Sequence, residues 1–147
     1  MIPVQFPPHN FKIRHNADTA NDEIFDTIRK KWLVLTPEEW VRQNFINYLT
    51  TSLNYPLSLI AVERGIKVGE VNKRFDIVVY NTHMQPQILV ECKAPEVALC
   101  DATIQQILSY KSVINAPFLI VTNGHNTYGF YTQNQMVQAL QSIPHYQ

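Results

Sequence analysis

The sequence predicts an α/β fold, a mixed β-sheet flanked by helices, and three observations carry that expectation. A capped helix start stands at Thr36-Pro37-Glu38-Glu39. Strand-like apolar runs follow it at Leu59 to Val68, Arg74 to Tyr80 and Gln87 to Lys93. A second helical pattern then separates Lys93 from the apolar run Pro117-Phe118-Leu119-Ile120-Val121-Thr122. Such a connection is a crossover, and it makes the strands on either side of it parallel neighbours.

The elements follow in chain order. Met1 to Asn10, with Pro3, Pro7 and Pro8, reads as an extended arm that is ordered only by lying against the body. Phe11-Lys12-Ile13-Arg14-His15 alternates, Asn16 to Asp22 is turn-like and Glu23 to Thr27 resumes apolar character, which predicts a peripheral hairpin. Arg29-Lys30-Lys31 reads as a solvated face in preference to a phosphate contact. Thr36 then caps a helix, Pro37 suits its first position and Glu39 completes a capping box. That helix runs to about Leu53. Val41, Phe45, Tyr48, Leu49 and Ser52 form its buried stripe, and Glu38 sits one turn ahead of Val41, facing inward and in need of a partner.

Tyr55-Pro56 ends the helix. The strand from Leu59 to Val68, with Gly65 read as a bulge, pairs through the turn Gly69-Glu70-Val71-Asn72 with Arg74 to Tyr80, and Gln87 to Lys93 completes a meander. Asp101 caps a helix through about Ile114 with Ile104, Ile107, Leu108 and Val113 on its apolar side. Pro117 to Thr122 is a buried strand by composition, and Asn123-Gly124 signals a hairpin leading to Thr127-Tyr128-Gly129-Phe130-Tyr131. A last helix is predicted over Gln135 to Ser142. There is no internal repeat and no low-complexity linker.

A chain of 147 residues fits one domain with a substantial core. Residues 1–35 read as its arm and peripheral hairpin, and 36–147 as its main body. Twelve basic residues balance twelve acidic ones, so no global positive field points to nucleic acid, and the neutral balance weighs against strong autonomous DNA affinity. Beyond Lys111 nothing but histidine can carry side-chain charge, which suits packing or self-association better than phosphate contact. Cys92 and Cys100 read as reduced core thiols, and neither they nor the five histidines have ligand spacing. Trp32, Trp40, Tyr48 and Tyr55 read as core or interface residues in preference to base-stacking platforms. The amino terminus lacks a signal-peptide pattern and no apolar run reaches membrane-spanning length, so the expected location is the cytoplasm, with no membrane partner.

The chemistry gathers between Arg74 and Pro95. Side chains alternate along a strand, so Glu91 and Lys93 share a face while Val90 and Cys92 point away. Asp76 likewise shares a face with Val78 and Tyr80, with Phe75, Ile77 and Val79 on the other. If these strands pair as an antiparallel hairpin around Asn81 to Pro86, two carboxylates and an ammonium converge. Hydrolysing a phosphodiester needs charge neutralised at phosphorus and a water oriented and deprotonated, which magnesium held by carboxylates supplies. Asp76 and Glu91 are the candidate metal ligands, with the backbone carbonyl of Cys92 between the two site-facing side chains. Lys93 is placed to stabilise developing negative charge or to orient hydroxide. Glu38 can reach a metal directly or through water. Gln106 and Tyr110, four apart on one helical face, can hydrogen-bond a carboxylate, a lysine or a phosphate. Blander roles stand beside these: Asp76 paired with Arg74 on an edge strand, Lys93 paired with Glu91, Glu38 serving the helix dipole, and Gln106 and Tyr110 as polar residues on a packed helix.

Asp76, fourteen residues, then Glu91-Cys92-Lys93 resembles the PD-(D/E)XK nuclease signature, and Glu38 matches the acid on that superfamily's first helix. Thr36-Pro37-Glu38-Glu39-Trp40-Val41-Arg42-Gln43, Arg74-Phe75-Asp76-Ile77-Val78-Val79-Tyr80, Val90-Glu91-Cys92-Lys93-Ala94-Pro95 and Gln106-x-x-x-Tyr110 together resemble the amino-terminal nuclease domain of type I restriction enzyme R subunits. The resemblance covers about Thr36 to Gly124. It implies a restriction-endonuclease-like fold, a magnesium- or manganese-dependent DNA-cleaving site, and a DNA-handling role for Gln106 and Tyr110. Two departures accompany it. No proline precedes Asp76, and the chain has no Gly-x-x-x-x-Gly-Lys-Ser/Thr loop, so the ATP-driven motor of full R subunits is missing. The expected function is therefore a magnesium-dependent DNA endonuclease without a motor, acting on DNA as a homodimer or with a restriction-modification partner subunit. The alternatives are a catalytically lapsed nuclease-fold module that binds DNA or a partner protein, and a nuclease acting on RNA.

Overall fold

The computed structural model describes residues 1–111 and 114–147, without the side chains of Val68, Val71, Tyr110 and Lys111. Its elements are β1 (Ile13–Asn16), β2 (Asn21–Asp26), β3 (Lys31–Val34), α1 (Pro37–Thr51), a 3-10 turn (Leu57–Leu59), β4 (Ile60–Val68), β5 (Val71–Tyr80), β6 (Pro86–Cys92), α2 (Asp101–Lys111), β7 (Phe118–Thr122), β8 (Thr127–Gln133) and β9 (Met136–Ala139). The fold is α/β. A six-stranded mixed sheet runs in sequence order from β4 to β9, and an antiparallel sheet of β1, β2 and β3 stands beside it.

Within the large sheet β6 and β7 are parallel, joined by the crossover through α2, and every other neighbouring pair is antiparallel. Successive residues of the central strands feed two clusters. Ile77, Val79, Ile88, Val90 and Cys92 join Val41, Phe45 and Leu49 of α1, whereas Val78, Leu89, Leu119 and Val121 join Ile107 of α2. Since strand neighbours point to opposite faces, α1 and α2 cover opposite faces of the sheet. Phe45 and Leu49 are fully buried, and burial of such a side chain contributes about 1.5–3 kcal/mol. Among the described residues no helix is long and apolar enough to cross a membrane.

The arm lies against this body as expected: Ile2 is buried, its amide donates to the Thr127 carbonyl at 2.8 Å, and Phe6 meets Phe45 and Tyr48 edge-on. The uncharged carboxy terminus packs too. Ile143 is buried, and the Tyr55 hydroxyl donates to the Pro144 carbonyl at 2.7 Å. The β7–β8 turn holds Gly124 at φ +88, where an added Cβ would come 3.3 Å from Val41 Cγ2. Both the backbone angle and the approach of α1 require glycine there.

Several expectations are corrected. Gln135 to Ser142 is not a helix: Asn134 and Gln135 take positive φ (51 and 65) and turn the chain into β9, which pairs antiparallel with β8. The exposed β8 edge offers a ladder that outweighs a short polar segment's helix propensity. The peripheral hairpin gains a third strand, β3, with Arg29-Lys30 closing the turn into it and Lys31 its first residue; Arg29 is half-buried and ion-paired, so the triplet is not simply a solvated face. Gly65 makes no bulge, since its pairing with Arg74 keeps the register of β4 on β5. Phe75 packs with Val78 on the α2 face and not with Ile77 and Val79, because the ladder lapses at Glu63 and Asp76, where Glu63 takes φ +54. Asp101 is the first residue of α2 itself; Cys100 precedes it, exposed, with Sγ 3.3 Å from Thr103 Oγ1, so only Cys92 is a core thiol. Val113, expected on the apolar side of α2, lies outside the described residues.

Candidate active site

Asp76 on β5 and Glu91 on β6 each lie one residue past the Ile77–Val90 pair, where the regular pairing of the two strands ends, and the Asp76 charge acts on Glu91. The Cys92 amide donates to Asp76 Oδ2 at 2.8 Å and fixes the carboxylate against β6. Both strands are interior to the sheet, and Asp76 is paired with Arg42; Arg74 approaches Glu63 instead, at 3.9 Å. The edge-strand role for Asp76 is thereby excluded.

Glu91 is only 7% exposed, and its Oε1 is buried without a hydrogen-bond partner among the described residues. Burial, reinforced by the Asp76 charge, pushes its carboxyl up to about 7, against the opposing pull of Lys73 and Lys93. A buried acceptor left unpaired costs free energy unless a cation or donor serves it. This orphaned oxygen beside a second carboxylate fits a divalent ion. Among the described residues no group of three or more His, Cys, Asp and Glu side chains is placed to hold a metal ion.

Lys93 follows directly on β6, its amide donating to the Thr122 carbonyl at 2.8 Å. Asn123 on the next turn ties down the loop beyond it, donating through Nδ2 to the Val97 carbonyl at 2.8 Å. The half-buried Lys93 charge favours the ionised forms of both Glu38 and Glu91. It closes no ion pair with Glu91 among the described residues.

The two glutamates at the start of α1 exchange their expected parts. Thr36 Oγ1 accepts from the Glu39 amide at 3.0 Å, so Thr36 caps the helix as its sequence predicts. The Glu39 carboxylate does not return the bond. It is buried, taking Arg29 Nη2 at 3.2 Å, Gln43 Nε2 at 3.1 Å and Arg42 Nη1. Two guanidinium groups outcompete one neutral amide. Glu38 is the more exposed of the pair, with its side chain 46% accessible, yet Oε1 lies 3.0 Å from Arg42 Nη2. Partial burial raises its pKa, with Asp76 adding to the rise.

Arg42 and Glu63 are the members that sequence reasoning passed over. Arg42 Nη2 contacts Asp76 Oδ1 at 2.7 Å, Glu63 Oε1 at 2.8 Å and Glu38 Oε1 at 3.0 Å. The Glu38–Arg42 spacing of four on one helical face was an available signal. For Glu63 the signal was the turn: counting back from Gly69-Glu70 sets it opposite Asp76, next to the Val62–Ile77 pair. Lys73 is a third, its charge reaching Glu91.

Gln106 of α2 is not drawn in. Gln106 is exposed, its carbonyl accepting from Ser109 Oγ at 2.6 Å, and among the described residues its side chain bonds neither the carboxylates nor Lys93. The Tyr110 side chain lies outside the described residues.

Residues 37–144 match the family model described as type I restriction enzyme R protein N terminus. Among solved structures, the chain is similar to one described as a "putative nuclease belonging to DUF820" from Anabaena variabilis ATCC 29413, at 10% identity, over 76% of this chain and 73% of that one, with a TM-score of 0.50. No curated protein matches the sequence.

Proposed function

Because the chain belongs to the family of type I restriction enzyme R protein N termini, we propose that it is a magnesium- or manganese-dependent DNA endonuclease that hydrolyses phosphodiesters at Asp76, Glu91 and Lys93. The observation that carries this reading is the buried Oε1 of Glu91, without a hydrogen-bond partner among the described residues, under the influence of the Asp76 charge. Asp76 and Glu91 hold the metal, with the Cys92 carbonyl, and Glu38 reaches it directly or through water. When bound, the ion neutralises phosphate charge and lowers the pKa of its water.

The chain's own groups do the rest. The Cys92 amide holds Asp76 in place, so the ligand needs no reorganisation as substrate arrives. The Lys93 ammonium offsets negative charge growing on the phosphoryl oxygens or orients the attacking hydroxide. Gln106, exposed on α2, and Tyr110 handle the DNA strand. The 147 residues include no phosphate-cradling Gly-x-x-x-x-Gly-Lys-Ser/Thr loop, so the proposal covers cleavage and not translocation. Cutting both strands with one such site calls for a homodimer or a restriction-modification partner subunit, and we place the reaction in the cytoplasm.

The test is nicking of plasmid DNA with magnesium or manganese. Wild-type protein is expected to cleave, and Glu91→Ala and Lys93→Ala to lose cleavage while staying folded. No cleavage of duplex, single-stranded or branched DNA with either ion contradicts the proposal, and unlabelled RNA competing better than DNA reassigns the substrate. A second reading, a lapsed nuclease scaffold that docks DNA or a partner protein, draws on Arg42 already neutralising Asp76 and on a formal net charge of zero. Calorimetry without magnesium binding, together with a co-purifying partner, selects it.

A further inference from the structure

Arg42 stands where cations compete. It is 6% exposed, and its two terminal nitrogens serve four carboxylates: Glu39 through Nη1, and Glu38, Glu63 and Asp76 through Nη2. Its Nε is buried with no partner among the described residues, so the guanidinium is held from its carboxylate end alone. Glu63 is built for this contact. It takes φ +54, uncommon for a residue with a side chain, at the position opposite Asp76 where the β4–β5 ladder lapses between the Val62–Ile77 and Arg64–Phe75 pairs. Asp76 is thus shared between Arg42 on Oδ1 and the Cys92 amide on Oδ2. Glu91 carries a buried oxygen with no hydrogen-bond partner among the described residues.

A guanidinium and a divalent ion draw on the same carboxylate and repel each other. We infer that Arg42 is the resident cation of this site and a positioning residue for Asp76: it holds Asp76 Oδ1 through Nη2 until a divalent ion takes that carboxylate, while Glu38, Glu39 and Glu63 retain the guanidinium. The inference rests on the metal-dependent reading above and adds the exchange of one cation for another. Arg42 then sets metal affinity without touching the metal, and Glu63 is the carboxylate that gives the displaced nitrogen somewhere to stay.

Calorimetric titration of manganese into wild-type protein, Arg42→Lys and Arg42→Gln tests this, each variant checked for fold by circular dichroism. Removing the resident charge is expected to tighten manganese binding about tenfold in Arg42→Gln, whereas Arg42→Lys, which keeps the charge, stays within about threefold of wild type. Affinity equal to or weaker than wild type in a folded Arg42→Gln overturns the inference, since a merely structural arginine lowers thermal stability without tightening metal binding. Should Arg42→Gln not fold, nuclear magnetic resonance on wild-type protein decides the matter. The Arg42 Nη2 signal is expected to shift as magnesium saturates the site and Asp76 leaves it, while the Nη1 signal, held by Glu39, stays in place. An Nη2 signal unchanged at saturation overturns it. If neither wild type nor variant binds manganese, the metal-dependent reading itself fails.

Discussion

The Cys92 amide and the Asp76 carboxylate are joined across two strands by a 2.8 Å hydrogen bond, so a backbone group of β6 fixes a side chain of β5. The same carboxylate is the closest partner of Arg42 Nη2, at 2.7 Å. Removing it leaves the Cys92 amide without an acceptor and takes one of four carboxylates from Arg42. Asp76→Ala is expected to lose about 1–3 kcal/mol in urea unfolding, and Asp76→Asn about half of that, because the amide oxygen still serves Cys92. Equal stability of the two variants contradicts this account.

Glu91 makes the fold pH-sensitive in a defined direction. Its folded carboxyl lies at about 7 against an ordinary 4.5, raised chiefly by burial. Between those values the folded protein keeps a proton that the unfolded chain releases, so this group's contribution to stability falls as pH rises from about 4.5 to about 7 and is level above. Glu91→Gln is expected to flatten that part of a melting-temperature profile. An unchanged slope contradicts it.

Lys93 is half-buried and among the described residues closes no ion pair with Glu91, so its removal is expected to show in rate and not in stability. Lys93→Ala should lower cleavage by about a hundredfold or more, with unfolding free energy within about 1 kcal/mol of wild type. Single-turnover cleavage and urea titration on one preparation separate the two effects.

Asp26 is fully buried and accepts from the Ile28 and Arg29 amides, Arg29 Nε and Gln43 Nε2. These bonds tie the β2–β3 turn to α1, and through Gln43 and Arg29 to Glu39. Asp26→Ala is expected to destabilise by about 3–5 kcal/mol and to speed amide exchange in β2 and β3. Exchange unchanged there would mean that the small sheet is held by other contacts.

Much of the architecture was legible because local signals agreed with it. Thr36 and Pro37 announce α1, apolar runs of strand length announce β4 to β8, and the crossover fixes β6 and β7 as parallel. The antiparallel pairing of β5 with β6 followed from the two apolar runs and the polar turn between them. What stayed hidden depended on distant partners. Glu39 reads as a capping-box acid until Arg29 and Arg42 are brought to it, and Glu38 as the inward one until the pair is seen in place. Met136 to Ala139 carries no charge and no strand-like run; it becomes β9 because β8 leaves an edge open. Glu63 sits at a backbone angle that no residue preference foretells. The face of Phe75 follows from the same local break, invisible to a period of two.

The central claim is that Asp76 and Glu91 jointly hold a divalent ion, and crystals soaked in manganese test it most directly. An anomalous peak within about 2.2 Å of carboxylate oxygens from both residues is the result expected. A soaked crystal with no peak between them, or with manganese bound only elsewhere, contradicts it.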